Sequence, residues 1–116
     1  KEFSGVTNIL GDPAQLQQVL LNLIVNAFHA LPDGGEILLR IGPADSGYSK
    51  VFLSVTDNGV GIPEENLSKI FDPFFTTRAG GTGLGLAIVY KIVREHGANL
   101  EARSEIGKGT TFEIIF

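Results

Sequence analysis

The sequence contains no cysteine among its 116 residues, which excludes disulfide bonds and thiolate chemistry. This absence suits a reducing compartment, and we expect a cytoplasmic domain. Long apolar runs are missing too, because the most hydrophobic stretch, Val19–Phe28, is interrupted by Asn22 and Asn26. It falls short of the ~20 apolar residues of a membrane-spanning helix. No signal peptide is visible, and we expect no direct membrane contact by this domain.

An excess of positive charge is also absent. Nine Lys and Arg residues against 13 Asp and Glu residues give a formal net charge of −4, which argues against a nucleic-acid partner. A polyphosphate ligand would therefore need a metal cation to offset charge repulsion. Residues 1–116 are enough for one domain with one core, and the abrupt start and end of the chain indicate a piece of something longer.

The most distinctive stretch that is present is glycine-rich: Gly80-Gly81-Thr82-Gly83-Leu84-Gly85-Leu86. Such a loop leaves backbone N–H groups open to a ligand, and a helix that follows it attracts anions at its N-terminus. A phosphate-bearing ligand is the first hypothesis, although glycine-rich loops also serve as plain turns. Spacing excludes the two best-known phosphate motifs, since a dinucleotide fingerprint needs glycine at Leu86 and a Walker A loop needs Lys-Ser/Thr at Leu86-Ala87.

Periodicity predicts helices alternating with pairs of strands. Asp12-Pro13 supplies an N-cap and a proline at the first helical position, and Gly97 ends a second long helix. We predict helices at 13–31 and 84–96, a short helix from Pro63, strands at 36–42, 50–57, 99–104 and 110–116, and an extended segment at 3–10. The helices should collect on one face of a mixed, mostly antiparallel sheet, which is an α+β fold of two layers, an α/β sandwich.

The first helix carries an apolar face and a polar stripe. The apolar face comprises Leu16, Leu20, Leu23, Ile24, Ala27 and Leu31, and the stripe comprises Gln15, Gln18, Asn22, Asn26 and His29. Asn22 and Asn26 lie one turn apart, and asparagine is a poor helix former. The pair is either part of a solvent-facing stripe or a source of amide oxygens for Mg²⁺. His29 extends the stripe and is either solvated or close to a phosphate.

The second strand places a carboxylate, Asp57, on its core-facing row with Val51, Leu53 and Val55. A buried carboxylate must be hydrogen-bonded. Asp57 is either a strand-end residue that turns into the loop or an acceptor for an exocyclic amine such as that of adenine. Gly59 and Gly61 would let a flat base approach the backbone, and Ile62 would supply an apolar wall.

Residues 71–83 lack periodicity and hold three phenylalanines, two threonines and Arg78. The segment is either a loop held down by its phenylalanines or a lid that brings Arg78 to a terminal phosphate. His96, near a helix C-terminus, is interpreted as structural. No Ser-His-Asp order and no His/Cys metal cluster is present in the sequence.

Five motifs, in order, resemble those of one family. They are Asn22–Ala27 (N box), Asp57–Ile62 (G1 box), Phe71–Arg78 (F box), Gly81–Leu86 (G2 box) and the closing Gly107–Phe112. The chain resembles the catalytic and ATP-binding domain of two-component sensor histidine kinases. Their nucleotide-binding fold, the Bergerat fold, is shared with DNA gyrase and Hsp90.

This resemblance implies roles for individual residues. Asn26 would coordinate Mg²⁺ with help from Asn22, and Asp57 would accept the adenine amino group beside Thr110. The remaining nucleotide contacts that it implies are His29, Gly59, Gly61, Ile62, Thr77, Arg78, Gly81, Thr82, Gly83, Leu84, Gly85 and Leu86. Arg78, which stands where relatives usually have lysine, would meet the γ-phosphate and act in catalysis with Asn22.

The resemblance also implies an activity, with departures. ATP would donate its γ-phosphoryl group to a histidine on a separate helical dimerisation domain, which then passes it to a response regulator aspartate. Asn22 stands where hydrolases of the superfamily have a water-activating glutamate, so transfer is favoured over hydrolysis. His29 and Ala30 replace a usual basic and a usual aromatic residue. The alternatives are a stand-alone ATPase and a nucleotide-sensing module without catalysis.

Overall fold

The computed structural model describes residues 12–44, 50–76 and 83–116. Within them, the chain forms α1 (Pro13–His29), β1 (Ile37–Pro43), β2 (Val51–Asp57), α2 (Glu64–Leu67), α3 (Gly85–Glu95), β3 (Asn99–Glu105) and β4 (Gly109–Ile115). The predicted helices and strands in this part of the chain are confirmed, with ends that differ by one or two residues. The extended segment predicted at 3–10 lies outside the described residues.

The four described strands form one sheet in the order β1-β2-β4-β3, and each neighbouring pair is antiparallel. The second strand of the β3–β4 hairpin, β4, therefore pairs with β2. This β2–β4 pair forms the centre of the sheet. In that pairing Asp57 lies directly opposite Thr110. α1 and α3 contact each other and pack on the sheet, so the predicted two-layer α+β architecture is confirmed.

The start of α1 is held by its own N-cap residue and by a histidine from the end of α3. Asp12 is extended (φ −89°, ψ 115°), and its Oδ1 accepts a hydrogen bond from Ala14 N at 2.9 Å, as an N-cap does. The Asp12 N–H donates to His96 Nε2 at 3.1 Å, while His96 Nδ1 lies 2.8 Å from Ile92 O. His96 therefore joins the start of α1 to the end of α3, which agrees with the structural role expected for it.

The core lies between the helix pair and the sheet. Its most buried side chains are Val19, Leu23, Val55, Val89, Val93, Phe112 and Ile114. The predicted apolar face of α1 was off centre, because Val19 is only 1% exposed whereas Leu16 and Ile24 are half-buried. The buried residues of α1 are Val19, Leu23 and Ala27, and Asn22 of the predicted polar stripe donates a hydrogen bond to the first residue of α3.

Candidate functional site

A cavity of ≈ 460 Å³ opens between α1, α2, the loop after β2 and the start of α3. This volume is in the range of small-molecule sites, which is about 300–1,000 Å³. Predicted site residues that line it are Asn22, Asn26, His29, Gly61, Ile62, Gly83, Gly85, Leu86 and Thr110. Motifs that lie far apart in the sequence therefore meet at one place. Thr77, Arg78, Gly81 and Thr82 lie outside the described residues.

Asn22 and Asn26 differ in what their amides do. Asn22 Oδ1 accepts from Gln18 Nε2 at 3.1 Å, and its Nδ2 donates to Gly85 O at 3.2 Å. Asn22 thus links α1 to the first residue of α3. The Asn26 side chain makes no hydrogen bond in the part of the chain that the structure describes, and it lines the cavity. Its amide oxygen is available to a ligand or a cation.

The C-terminal end of α1 forms the rim of the cavity. His29 is exposed and makes an edge-on contact with Phe28, with ring centroids 6.2 Å apart. Ala30 caps the helix and also lines the cavity, so no aromatic side chain occupies its position. A base that entered here would pack on aliphatic groups. Among these, Val25, Val60, Ile62 and Ile70 line the cavity.

Asp57 is only 3% exposed and does not line the cavity, but it lies opposite the lining residue Thr110 in the register of β2 and β4. Its Oδ1 accepts a hydrogen bond from Gly59 N at 2.9 Å, and the Thr110 backbone N–H also donates to the carboxylate. Desolvation by burial raises the pKa of Asp57 above its ordinary value of 3.8, while the two backbone hydrogen bonds oppose the shift. The carboxylate is therefore an acceptor whose charged form lacks a neutralising partner in the described chain. This combination is typical of functional sites.

Ser104 is part of this site, and the sequence analysis missed it. Its Oγ lies 2.7 Å from Ile62 N, 2.9 Å from Gly109 O and 2.8 Å from Thr110 Oγ1. Thr110, which is 4% exposed, thus reaches the cavity with its hydroxyl already hydrogen-bonded. The alternation of polar and apolar residues along β3 predicts the face on which Ser104 lies. The three hydrogen bonds of its hydroxyl cannot be predicted in this way, because no local sequence pattern accompanies them.

The loop after β2 is held by backbone bonds on both sides. Val60 N donates to Ala30 O at 3.0 Å, and Val60 O accepts from Gly107 N at 2.9 Å. A Cβ at Gly59 would collide with Ala30 O, and one at Gly61 would collide with Glu105 O. These two glycines are therefore required by close packing of the protein on itself. The sequence analysis had attributed them to the approach of a flat base.

The glycine-rich stretch also serves two purposes. Gly83 has φ +73° and contacts the backbone of Phe74, whose N–H donates to Gly83 O at 2.8 Å, so glycine is needed there for packing. At Gly85, by contrast, a Cβ would meet nothing within 4 Å among the residues that the structure describes. The N-cap residue Leu84 makes no side-chain capping bond to α3. The first turn of α3 therefore presents backbone N–H groups, and the positive end of the helix dipole, beside the cavity.

The phenylalanines after α2 have different environments. Phe71 stacks on Tyr90, with ring centroids 5.6 Å apart, and meets Phe112 edge-on at 6.1 Å, so it anchors the segment to the core. Phe75 lines the cavity, whereas Phe74 is 73% exposed and has φ 70°. The anchoring interpretation therefore holds for Phe71, and Phe75 supplies an apolar wall that the sequence analysis did not predict.

Within residues 12–44, 50–76 and 83–116, no cluster of three or more His, Cys, Asp or Glu side chains could hold a metal ion. None of the helices described there is long and apolar enough to cross a membrane. A metal site in this cavity would have to use amide oxygens, and Asn26 offers one. Mg²⁺ accepts few protein ligands when phosphates and waters complete its shell, so this donor set fits it.

Comparisons with known proteins agree with this geometry. Residues 11–116 match the family of histidine kinase-, DNA gyrase B- and HSP90-like ATPases. The sensor histidine kinase ZraS of Salmonella typhimurium is 47% identical over 106 residues, which cover 91% of this chain and 22% of that protein. The chain spans between 13% and 26% of the length of the curated relatives that it matches.

Two solved structures share the fold. The mycobacterial sensor histidine kinase MprB superposes with a TM-score of 0.83 at 33% identity, covering 93% of this chain and 73% of that one. Full-length ShkA in complex with AMPPNP superposes with a TM-score of 0.80 at 34% identity, covering 95% of this chain and 23% of that one. The chain belongs to the family of histidine kinase-, DNA gyrase B- and HSP90-like ATPases, as a domain of the type found in sensor histidine kinases.

Proposed function

We propose that this domain binds ATP in the cavity between α1 and α3 and presents the γ-phosphoryl group to a histidine of a separate helical dimerisation domain. The observation that carries the proposal is the chemical division of the cavity. At one end Thr110 lines the cavity, with the buried carboxylate of Asp57 opposite it in the register of β2 and β4, and the other end holds the N-terminus of α3. An adenine amino group suits the first end, and phosphates suit the second.

The phosphate end has room for close approach. Gly85 begins α3 and lines the cavity, and no described residue lies within 4 Å of the position that a Cβ would occupy there. A phosphate oxygen can therefore come against the backbone there, as it does at other helix N-termini. The family match to ATPases and the AMPPNP complex of a structural neighbour support a nucleoside triphosphate as the ligand.

Asn26 would hold Mg²⁺ through its free amide oxygen, and Asn22 would assist from one turn away. When bound, the ion would neutralise phosphate charge that this acidic chain, with a net charge of −4, offsets poorly. In the described structure Asn22 holds the first carbonyl of α3, Gly85 O. The Asn22 side chain therefore fixes the position of the α3 N-terminus relative to Asn26. Arg78 is proposed to contact the γ-phosphate.

Transfer to a histidine is favoured over hydrolysis because Asn22, at the position where hydrolases of the superfamily have a water-activating glutamate, is an amide, and because His29 lies at the exposed rim of the cavity. The lining residues Asn22 and Asn26 are too weakly basic to deprotonate water. A neutral imidazole needs no such base, since it is already a nucleophile near neutral pH. Catalysis would then depend on positioning and charge stabilisation. A response regulator aspartate would receive the phosphoryl group downstream.

A transfer assay tests this function. The 116-residue chain is incubated with a helical dimerisation domain that contains a phosphoacceptor histidine, together with Mg²⁺ and γ-labelled ATP. The expected product is an acid-labile, base-stable phosphohistidine on the helical domain, with slow ATP hydrolysis by the chain alone. ATP binding without any transfer would refute the kinase function in favour of nucleotide sensing. Rapid hydrolysis without a partner would instead support a stand-alone ATPase.

A further inference from the structure

Ser104 lies at the centre of a small hydrogen-bond network beneath the cavity. Three groups surround its Oγ: Ile62 N at 2.7 Å, Gly109 O at 2.9 Å and Thr110 Oγ1 at 2.8 Å. Each of them belongs to the base end of the cavity or to the turn that supports it. Ser104 itself is half-buried in β3 and does not line the cavity.

The donors and acceptors of these groups allow one assignment of protons. A serine hydroxyl has one proton and two lone pairs. Ile62 N–H can only donate, so it occupies one lone pair of Ser104, and Gly109 O can only accept, so it takes the proton of Ser104. The remaining lone pair must then accept from Thr110, whose own proton is directed to Ser104. All three contacts are satisfied only in this arrangement.

This assignment fixes the polarity of Thr110. With its proton given to Ser104, Thr110 Oγ1 can offer only lone pairs to a group that approaches from the cavity. Asp57, its partner in the register of β2 and β4, is also only an acceptor when ionised. Thr110 therefore presents an acceptor and no hydroxyl donor to the cavity, and Asp57, opposite it in the strand register, is a second acceptor.

We propose that Ser104 is a positioning residue that holds Thr110 as a hydrogen-bond acceptor and thereby makes the site select a 6-aminopurine over a 6-oxopurine. The inference rests on the proposed ATP-binding function and adds a determinant of base specificity. An amino group brings N–H donors to Asp57 and Thr110, directly or through a bridging water. A keto oxygen at the same position would place a third acceptor against these lone pairs, where it gains no hydrogen bond after losing its water.

The test compares the affinities of ATP and inosine triphosphate, which carries the keto group, for the 116-residue chain by calorimetry with Mg²⁺ present. In Ser104→Ala the Thr110 proton is released and can be donated to a keto oxygen. We expect the preference for ATP over inosine triphosphate to fall about tenfold, which corresponds to about 1.4 kcal/mol. Ser104→Thr keeps the hydroxyl and should restore the preference.

A double-mutant cycle with Thr110→Val separates polarity from packing. Valine has the shape of threonine without its hydroxyl, so the preference should fall in Thr110→Val, and adding Ser104→Ala should change it no further. If Ser104→Ala weakens both nucleotides by the same factor, Ser104 is only structural and the inference is wrong. Thermal melting monitored by circular dichroism verifies folding, and Thr110→Val tests the same polarity if Ser104→Ala does not fold. Failure of the unaltered chain to bind ATP would instead refute the proposed function.

Discussion

Replacing Asp57 with asparagine should weaken ATP binding strongly while changing stability little. The carboxylate is 3% exposed and accepts backbone hydrogen bonds from Gly59 and Thr110. Asparagine keeps one acceptor oxygen but places an NH₂ group where the second oxygen stood. That group would face the amino group of adenine, so two donors would meet. Since a hydrogen bond to a charged group contributes about 1.5–3 kcal/mol, we expect an affinity loss of roughly 10- to 150-fold.

The effect on folding should be small because two changes oppose each other. One of the two backbone N–H donors loses its acceptor, which costs about 1 kcal/mol. At the same time, a buried negative charge is removed, and burial already disfavours that charge, as the raised pKa of Asp57 indicates. We therefore expect the free energy of unfolding at neutral pH to change by no more than about 1 kcal/mol, or about 4 °C in melting temperature for a domain of this size.

Calorimetric titration with ATP and a thermal melt measure both quantities. Thr56→Val is a matched control, because Thr56 Oγ1 pairs with Thr111 Oγ1 at 3.0 Å in the next register position of the same two strands. Side chains alternate along a strand, so this pair lies on the opposite face from Asp57 and Thr110. The control should keep its ATP affinity. An Asp57→Asn affinity within twofold of the unaltered chain would refute the adenine role.

Gly85→Ala should leave the melting temperature equal or slightly higher, because a Cβ there meets nothing, yet weaken ATP binding at least several-fold because the methyl group fills the space proposed for a phosphate. Equal affinities by calorimetry would place the phosphates elsewhere. Asn26→Ala should reduce ATP affinity about tenfold in Mg²⁺ but not in a chelator, and an equal loss under both conditions would exclude a metal role. Burial raises the pKa of Asp57, and a donating amino group favours its ionised form. ATP affinity should therefore rise as the pH increases through this raised pKa, while the free domain loses stability over the same range. Titrations of Asp57→Asn should lack that rise, and an identical pH profile would contradict it.

Local signals in the sequence predict most of the elements. The Asp12-Pro13 pair marks the start of α1, Gly97 follows the end of α3, and alternation along the last hairpin identifies Phe112 and Ile114 as core residues. These features depend on neighbours within one turn or one strand. Helix capping, the left-handed backbone of a glycine and the pleating of a strand cause these features, and each depends on a short stretch of sequence.

The site is less predictable because its contacts join distant residues. Asn22 meets Gly85 O across 63 residues, and Ile62 N meets Ser104 across 42. In the sequence, a serine in a strand of alternating polar and apolar residues gives the same pattern whether its hydroxyl faces water or, as in Ser104, makes several hydrogen bonds within the protein. The centre of the α1 core face was misplaced for the same reason, since Val19 is buried in a core cluster whose other members come from distant elements such as β2, α3 and β4. The family resemblance assigned roles, but it did not reveal which groups hold those residues in place.

The two backbone hydrogen bonds of Val60, to Ala30 and from Gly107, have a consequence for how freely this sequence can vary. Its N–H and C=O join the end of α1 to the β3–β4 turn, but its side chain is 55% exposed, and that of Ile106 in the turn is 60% exposed. Main-chain atoms make these connections, and they are the same in every residue type except proline at the donating positions. Substitution of Ile106 should therefore leave the base end of the cavity intact, whereas substitution of Val60 should change a side chain of the cavity wall but not these backbone connections. The backbone connections around the site can therefore be kept while many side chains change, provided that the positions packed against other backbone, such as Gly59 and Gly61, remain glycine.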